Sequence, residues 1–232
     1  MNWSSFAGRA VVVDYVRSPR ARRISLRADA VRGIVRVALP PRGRLTDAQA
    51  FVAAHHDWIA ARVAAWPVAV PFVPGATIPF DGGRLTIDWS SSHPRGARLA
   101  DNLLTIGGPE ATVPGRTLRW LRSAALADLA AATHAVATRI DRRVARVAVR
   151  DPAGRWGSCS TSGTIGYSWR LILAPPEVRQ SVVAHEVAHL IHPNHGGEFW
   201  KLAAELTTSD IGVARAWLAA NGAALHWIGR EN

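Results

Sequence analysis

The chain has 232 residues, 48% of them hydrophobic, which is enough to build a core for one large or two small domains. Its net charge of +11 is carried almost wholly by arginine, because Lys201 is the only lysine. A compositional bias explains this charge, and we do not favour nucleic acid as a partner because no nucleic-acid-binding motif accompanies it. No apolar run approaches the ~18 residues of a membrane span, no secretory signal begins the chain, and a single cysteine excludes an internal disulfide. We therefore expect a cytoplasmic protein without a membrane partner.

The first half of the chain predicts a β-rich unit with one helix. Residues 22–40 alternate between polar and apolar positions on either side of a turn, which is typical of a β-hairpin. Thr46 is the predicted cap of the helix that follows. Three further β segments are predicted, over residues 76–80, 84–89 and 99–106. The non-periodic stretch after them is the best boundary, so we predict one domain over 1–110 and a second over 111–232.

The second half predicts helices and two strands. Apolar residues spaced by three and four predict a long helix over 117–140, and runs of β-type residues predict strands over 144–149 and 164–173. Pro175 and Pro176 end the last strand and begin the next helix. We expect one strand of this half to border a cleft, where it can pair with an extended peptide. We take residues 164–173 to be that strand.

The helix after the two prolines carries an H-E-x-x-H motif formed by His185, Glu186 and His189. Helical residues four apart lie on nearly the same face, so both imidazoles can reach one metal ion. Glu186 lies about 100° around the helix, where it can reach a metal-bound water without binding the metal. Two core histidines could share this spacing by chance, but a buried helix needs a reason to hold such polar groups. Metal binding is the better explanation.

A third ligand is expected because a catalytic zinc usually has three protein ligands and one open position. His192 is in helical phase with the first two histidines, but it precedes Pro193, which disfavours helical geometry at the residue before it. His195 follows the resulting turn and can point back at the first helix. We therefore predict His195 as the third ligand, with Glu198 or Glu205 as the alternative.

The segments HEVAHL and NHGGEFW, preceded by RWGSCS at residues 155–160, resemble the YgjP-like metallopeptidases, which are related to the SprT-like and WLM-type zinc proteases. The resemblance extends over nearly the whole chain. It implies an α+β fold, with a β-rich amino-terminal unit followed by a zincin-like catalytic domain, and it also implies that His195 binds zinc. Ser168 stands where the family usually has an asparagine, and it is therefore a candidate substrate contact.

Together these features predict a zinc-dependent metallopeptidase that binds one Zn²⁺ ion and hydrolyses peptides or proteins, with Glu186 as general base. A second group that stabilises the oxyanion is expected among Tyr167, Arg170 and His192. The first alternative is a metal-dependent phosphohydrolase of the nucleotide triphosphate pyrophosphatase type, because arginines suit phosphates. The second is a DNA-associated protease. A purely structural zinc site is least favoured because it has no use for the Glu186 carboxylate. Nothing in the sequence specifies an oligomeric state.

Overall fold

The computed structural model describes residues 2–231, and these form two compact units divided between Val68 and Ala69. The sequence predicts a division near residue 110 instead. The difference arises because the strands between residues 77 and 106 pack with the helices that follow them. The Asp81 N–H donates a hydrogen bond to the Ile172 carbonyl at 2.9 Å, and buried side chains of both regions belong to one continuous core.

The first unit is a four-stranded sheet with two helices. Its strands are β1 (Asn2–Phe6), β2 (Arg9–Arg17), β3 (Ser25–Asp29) and β4 (Ile34–Leu39), and their order is β1-β2-β4-β3. The antiparallel β3–β4 pair confirms the predicted hairpin. The helices are α1 (Leu45–Ala54) and α2 (His56–Ala64). The predicted cap Thr46 lies inside α1, which begins one residue earlier and has no side-chain cap.

The second unit contains two sheets. Strands β5 (Thr77–Phe80), β6 (Gly83–Trp89), β7 (Arg98–Ala100) and β8 (Leu103–Ile106) form one of them, in the order β5-β6-β8-β7. Strands β9 (Arg146–Arg150), β10 (Gly157–Cys159) and β11 (Thr164–Ser168) form the other, in the order β10-β11-β9. In this second sheet β11 is antiparallel to β10 and parallel to β9.

Four helices complete the second unit: α3 (Val113–Thr138), α4 (Pro176–Ala188), α5 (Gly197–Leu206) and α6 (Ile211–Leu225). Buried residues recur every four positions along α3, from Val113 to Ala137, so one face of this long helix packs on the core. Within residues 2–231, none of the helices has the length and apolar character that a membrane span requires. The result is the mixed α+β fold, β-rich at first and helical later, that the sequence predicts.

The strand predicted over residues 164–173 needs two corrections. Regular strand ends at Ser168, whose side chain accepts a hydrogen bond from the N–H of Arg170 and begins a 3₁₀ helix over Trp169–Leu173. In addition, β11 is the central strand of its sheet, so both of its edges are already paired. The edge strand beside α4 is β10 instead, and the Cα of Gly157 in β10 lies against the Glu186 side chain.

Candidate metal centre

Helix α4 and the residue after it place two imidazoles side by side. The helix begins at Pro176, where the fixed φ of proline suits the first turn, and it ends at Ala188. His189 follows directly with φ −64° and ψ −16°, which is still right-handed helical geometry. It therefore keeps its four-residue relation to His185, and the two ring centroids are 5.0 Å apart.

The third imidazole comes from the turn between α4 and α5. His195 lies two residues before the start of α5, and its Nε2 is 3.1 Å from Nε2 of His185. One ring nitrogen from each of His185, His189 and His195 lies within 4.8 Å of the other two. Among the residues that the structure describes, no other group of histidine, cysteine or acidic side chains is clustered in this way.

The protonation of two of the rings leaves a nitrogen of each free to bind a metal ion. Nδ1 of His189 lies 3.0 Å from the carbonyl oxygen of His192, so this nitrogen carries the proton and Nε2 is free to bind a metal. Burial, and then the neighbouring His189, His195 and Arg215, lower the pKa of His185 to about 4, so its ring is neutral at neutral pH. Two ligands at about 2.05 Å from a tetrahedral ion stand about 3.3 Å apart, close to the separation of the two Nε2 atoms. The donor set and its spacing therefore fit a divalent metal ion.

Aromatic rings of α5 hold the three imidazoles in place. Phe199 is fully buried, and its ring centroid lies 4.8, 4.5 and 4.7 Å from those of His185, His189 and His195. Trp200 stacks on His195 with a centroid distance of 5.6 Å. Packed rings restrict the rotation of the imidazoles, so α5 orients the ligands although it supplies none of them.

Glu186 is the buried acid beside this cluster. Its side chain is only 5% exposed, and burial raises the pKa of the carboxyl group to about 7, although the nearby Arg155 opposes the shift. Within residues 2–231 it makes neither a hydrogen bond nor an ion pair with another side chain. A Cβ atom at Gly157 would stand 2.3 Å from Oε1 of Glu186, so only glycine leaves room for the carboxylate here.

Strand β10 presents unpaired backbone groups next to Glu186. Two backbone hydrogen bonds flank the β10–β11 ladder: one of 2.8 Å joins residues 156 and 168, and one of 2.9 Å joins residues 160 and 164. Hydrogen-bonded and non-bonded pairs alternate in an antiparallel ladder, so Gly157 and Cys159 direct their N–H and C=O groups away from β11. These groups are available to a further extended chain at the edge of the sheet.

A cleft of about 750 Å³ runs along this edge. The turn from β10 to β11 lines it, and so do the three histidines and Glu186. Arg142 and Arg143, from the segment before β9, also line it and give it positive charge. The cleft is thus large enough for a substrate of several residues or for a nucleotide.

A model of the YgjP-like metallopeptidase domain matches residues 22–221, which is most of the chain. The chain belongs to the YgjP-like family. This confirms the resemblance drawn from the HEVAHL, NHGGEFW and RWGSCS segments. Comparison with curated proteins and with solved structures gives no match. Membership of this family supports a metal-dependent hydrolase that acts on peptides or proteins.

Three side chains predicted to contact substrate in this YgjP-like chain are buried and have internal partners. The hydroxyl of Tyr167 lies 2.9 Å from that of Thr133, and Ser168 is fully buried at the start of the 3₁₀ helix. Arg170 pairs with Asp151 and donates to the carbonyl oxygens of residues 225 and 228. Tyr167 thus contacts α3 and Arg170 contacts the end of α6, and none of the three side chains lines the cleft.

The other predicted residues divide between the cluster and the surface. His192 contributes its backbone carbonyl to His189, and its side chain does not line the cleft. Glu198 and Glu205 are exposed on α5 and lie outside the histidine cluster. The sequence does not predict Phe199 or Gly157 as site residues. A glycine within a strand was the available signal at Gly157, because it often marks the close approach of another group.

Proposed function

We propose that this YgjP-like protein is a zinc-dependent peptidase in which His185, His189 and His195 hold a single zinc ion and Glu186 is the general base. One observation carries the proposal: three imidazoles converge at the edge of a sheet, beside a buried acid that forms no side-chain hydrogen bond or ion pair within residues 2–231. A zincin-like catalytic domain is the architecture that this arrangement suggests.

The donor set favours zinc among the common divalent ions. Three neutral imidazoles are typical of zinc sites that keep a fourth position open, whereas calcium and magnesium prefer oxygen ligands. When bound, the ion supplies a Lewis acid and lowers the pKa of water. Cys159 lines the same cleft, but its sulfur is not part of the cluster, and burial together with the Glu186 charge raises its thiol pKa.

Glu186 is suited to move protons in this reaction. A carboxyl group whose pKa lies near 7 can accept a proton from water and later donate it to the leaving amine at neutral pH. Gly157 forms one wall of the space that the carboxylate occupies, so the side chain cannot turn towards β10. Removing a general base of this kind typically lowers the rate by about 10²–10⁴-fold.

The edge of β10 is suited to hold the substrate backbone. An extended peptide placed beside β10 forms hydrogen bonds with the free groups of Gly157 and Cys159, as a further strand of the sheet would. This pairing recognises the peptide backbone rather than its side chains, and it brings a peptide carbonyl close to Glu186. The sequence predicts residues 164–173 for this role, whereas β10 is the edge strand that lies beside Glu186.

A second candidate function is hydrolysis of a phosphoanhydride in a nucleotide triphosphate. Arg142 and Arg143 favour it because they line the cleft and could bind phosphate oxygens. The two functions differ in the product released, so one assay separates them.

The test is hydrolysis of unfolded casein, a pool of short peptides and the nucleoside triphosphates, each with and without a chelator. Metal analysis should give about one zinc per chain, and peptide cleavage should stop when the chelator is present. Glu186→Gln should keep the zinc and lose activity, while Glu177→Gln, at an exposed position of the same helix, should retain both. Chelator-sensitive release of phosphate or pyrophosphate without peptide cleavage would support the second function and reject the first.

A further inference from the structure

A second, smaller cavity adjoins the metal centre. It has a volume of about 240 Å³ and shares Gly157, His185 and Glu186 with the large cleft. From these shared residues the cleft extends towards the carboxyl end of β10, whereas the small cavity extends towards Arg155, which precedes the strand. The two cavities therefore lie on either side of the reacting groups along the direction of β10.

The walls of the small cavity are mainly apolar. Helices α4 and α6 supply aliphatic side chains, and the segment before β10 supplies an indole; these residues are Val182, Ile211, Ala214, Leu218 and Trp156. Sites for whole small molecules usually measure about 300–1,000 Å³, so a cavity of this size suits a single side chain. Its lining predicts an aliphatic or aromatic occupant.

Two exposed arginines also line this cavity. Arg155 lies before β10, and Arg215 lies on α6, where its guanidinium is stacked 5.2 Å from the Trp200 ring centroid. Across residues 2–231, neither arginine forms an ion pair with an acidic side chain. Both cations are therefore available to an anionic group of a ligand, close to an apolar pocket.

The direction of β10 relates this pocket to the two ends of a peptide. β10 runs from the small cavity towards the large cleft, and antiparallel pairing is slightly more stable per residue than parallel pairing. A peptide antiparallel to β10 has its amino-terminal residues in the cleft and its carboxyl-terminal residues at the small cavity. The carboxyl-terminal side is also where a free carboxylate can meet the two arginines.

We propose that this cavity binds the residue on the carboxyl side of the scissile bond, taking an aliphatic or aromatic side chain, while Arg155 and Arg215 bind an adjacent carboxylate. The inference rests on the proposed peptidase function and specifies its substrate class. The carboxylate comes either from the end of the peptide or from an acidic side chain at the next position, and the test distinguishes these two sources.

Binding is measured first, on the full-length zinc-loaded Glu186→Gln variant, so that no turnover occurs. The probes for calorimetric titration are N-acetyl-Ala-Ala-Leu, its carboxyl-terminal amide, N-acetyl-Ala-Ala-Gly, and N-acetyl-Ala-Ala-Leu-Asp amide. Replacing leucine by glycine should weaken binding by about 10- to 100-fold, because a buried leucine side chain contributes about 1.5–3 kcal/mol. Amidation should weaken it by about 10- to 100-fold as well, because a hydrogen bond to a charged group contributes about 1.5–3 kcal/mol. Tight binding of the Leu-Asp amide would identify an acidic side chain as the preferred source.

Variants then assign these preferences to residues. Arg155→Ala combined with Arg215→Ala should remove the discrimination between acid and amide while leucine remains preferred over glycine. Arg122→Ala removes an exposed arginine on α3 that lies outside both cavities, and it should leave all four affinities unchanged. Leu218→Ala enlarges the pocket, so a further probe, N-acetyl-Ala-Ala-Phe, should bind this variant more tightly relative to N-acetyl-Ala-Ala-Leu than it binds the unaltered pocket. Melting temperatures of the variants check that each one is folded.

Cleavage by the wild-type enzyme separates the two proposals. If the probes bind with both preferences but the enzyme cleaves no peptide, the pocket's preference for an apolar residue beside a carboxylate stands, whereas the peptidase function and the pocket's relation to a scissile bond are rejected. If peptides are cleaved regardless of the residue after the scissile bond and of the carboxylate, the peptidase function stands and the pocket assignment is overturned. Failure of every probe to bind also overturns the assignment.

Discussion

Replacing Gly157 with alanine should reduce catalysis while leaving the fold and the metal intact. The added Cβ would stand 2.3 Å from Oε1 of Glu186 and 2.6 Å from its Cδ and Cγ, whereas ordinary contact begins at 3.4 Å. The carboxylate must therefore move by about 1 Å, a displacement that can reduce a rate by about 100-fold. Because the loss of a general base reduces rates by about 10²–10⁴-fold, we expect kcat to fall by about 10²–10³-fold.

The free energy of unfolding should change much less. Gly157 does not lie in the left-handed region of φ, so its backbone accepts alanine, and the clashing atoms belong to the outer end of one side chain. Alanine also reduces the conformational entropy of the unfolded chain, which stabilises a compatible site by about 0.4–1 kcal/mol. We expect the net change to stay within about 1 kcal/mol.

The assay combines peptide cleavage, zinc content and thermal unfolding of the same preparations. Gly154→Ala is the matched control, because this glycine lies in the same segment and its Cβ would meet nothing within 4 Å. Wild-type kcat in Gly157→Ala would show that the position of the Glu186 carboxylate does not limit the reaction. Loss of zinc together with a large fall in melting temperature would show instead that β10 acts through the fold.

Three further predictions concern the third ligand and the buried ion pair. His195→Ala should weaken zinc binding by more than about 100-fold, whereas His192→Ala should keep the zinc, because only the backbone carbonyl of His192 contacts a ligand. Competition with a chelator measures the zinc affinity of both variants, and equal losses of affinity would reject the assignment. Arg170→Met should lower the free energy of unfolding by about 2–3 kcal/mol, because it leaves the partly exposed Asp151 carboxylate and two carbonyl groups unpaired. Denaturant titration measures this change, and an unchanged unfolding midpoint would contradict the prediction. Burial opposes ionisation of Asp151, but Arg170, with smaller contributions from Trp169 and His226, outweighs it and lowers the Asp151 pKa. The stability from this pair should therefore be present above about pH 4 and lost as the pH falls through the lowered pKa. Asp151→Asn should flatten that acid limb, and an identical pH profile would refute the linkage.

The histidine cluster could be predicted from sequence because its geometry is local. His185 and His189 lie one helical turn apart, so the spacing alone places them together once the helix is accepted. His195 is only six residues further on, and Pro193 between them signals the turn that brings it back. In the described structure these three rings lie together. Helix α4 ends at Ala188, which is earlier than the helix end that Pro193 alone would impose.

The domain division and the edge strand depended on contacts that local patterns do not encode. The stretch after residue 106 looks like a boundary, but Asp81 bonds to Ile172 and pairs with Arg179, which joins the preceding sheet to the helical region. Residues 164–173 show an apolar pattern that suits a strand throughout. Neither the 3₁₀ turn that begins after Ser168 nor the pairing of β11 on both edges is visible in that pattern.

The position of Gly157 relates the RWGSCS segment to the H-E-x-x-H motif. Glycine weakens a strand, so its presence in β10 indicates that some group approaches the backbone closely, but sequence alone does not identify that group. In the structure the group is the carboxylate of Glu186, which occupies the space that a Cβ would fill. The positions of the His185 and His189 imidazoles depend on helical spacing and do not require this glycine. A related chain with the same histidines and a larger residue at this position should therefore still bind the metal, but its glutamate could not take up the same position.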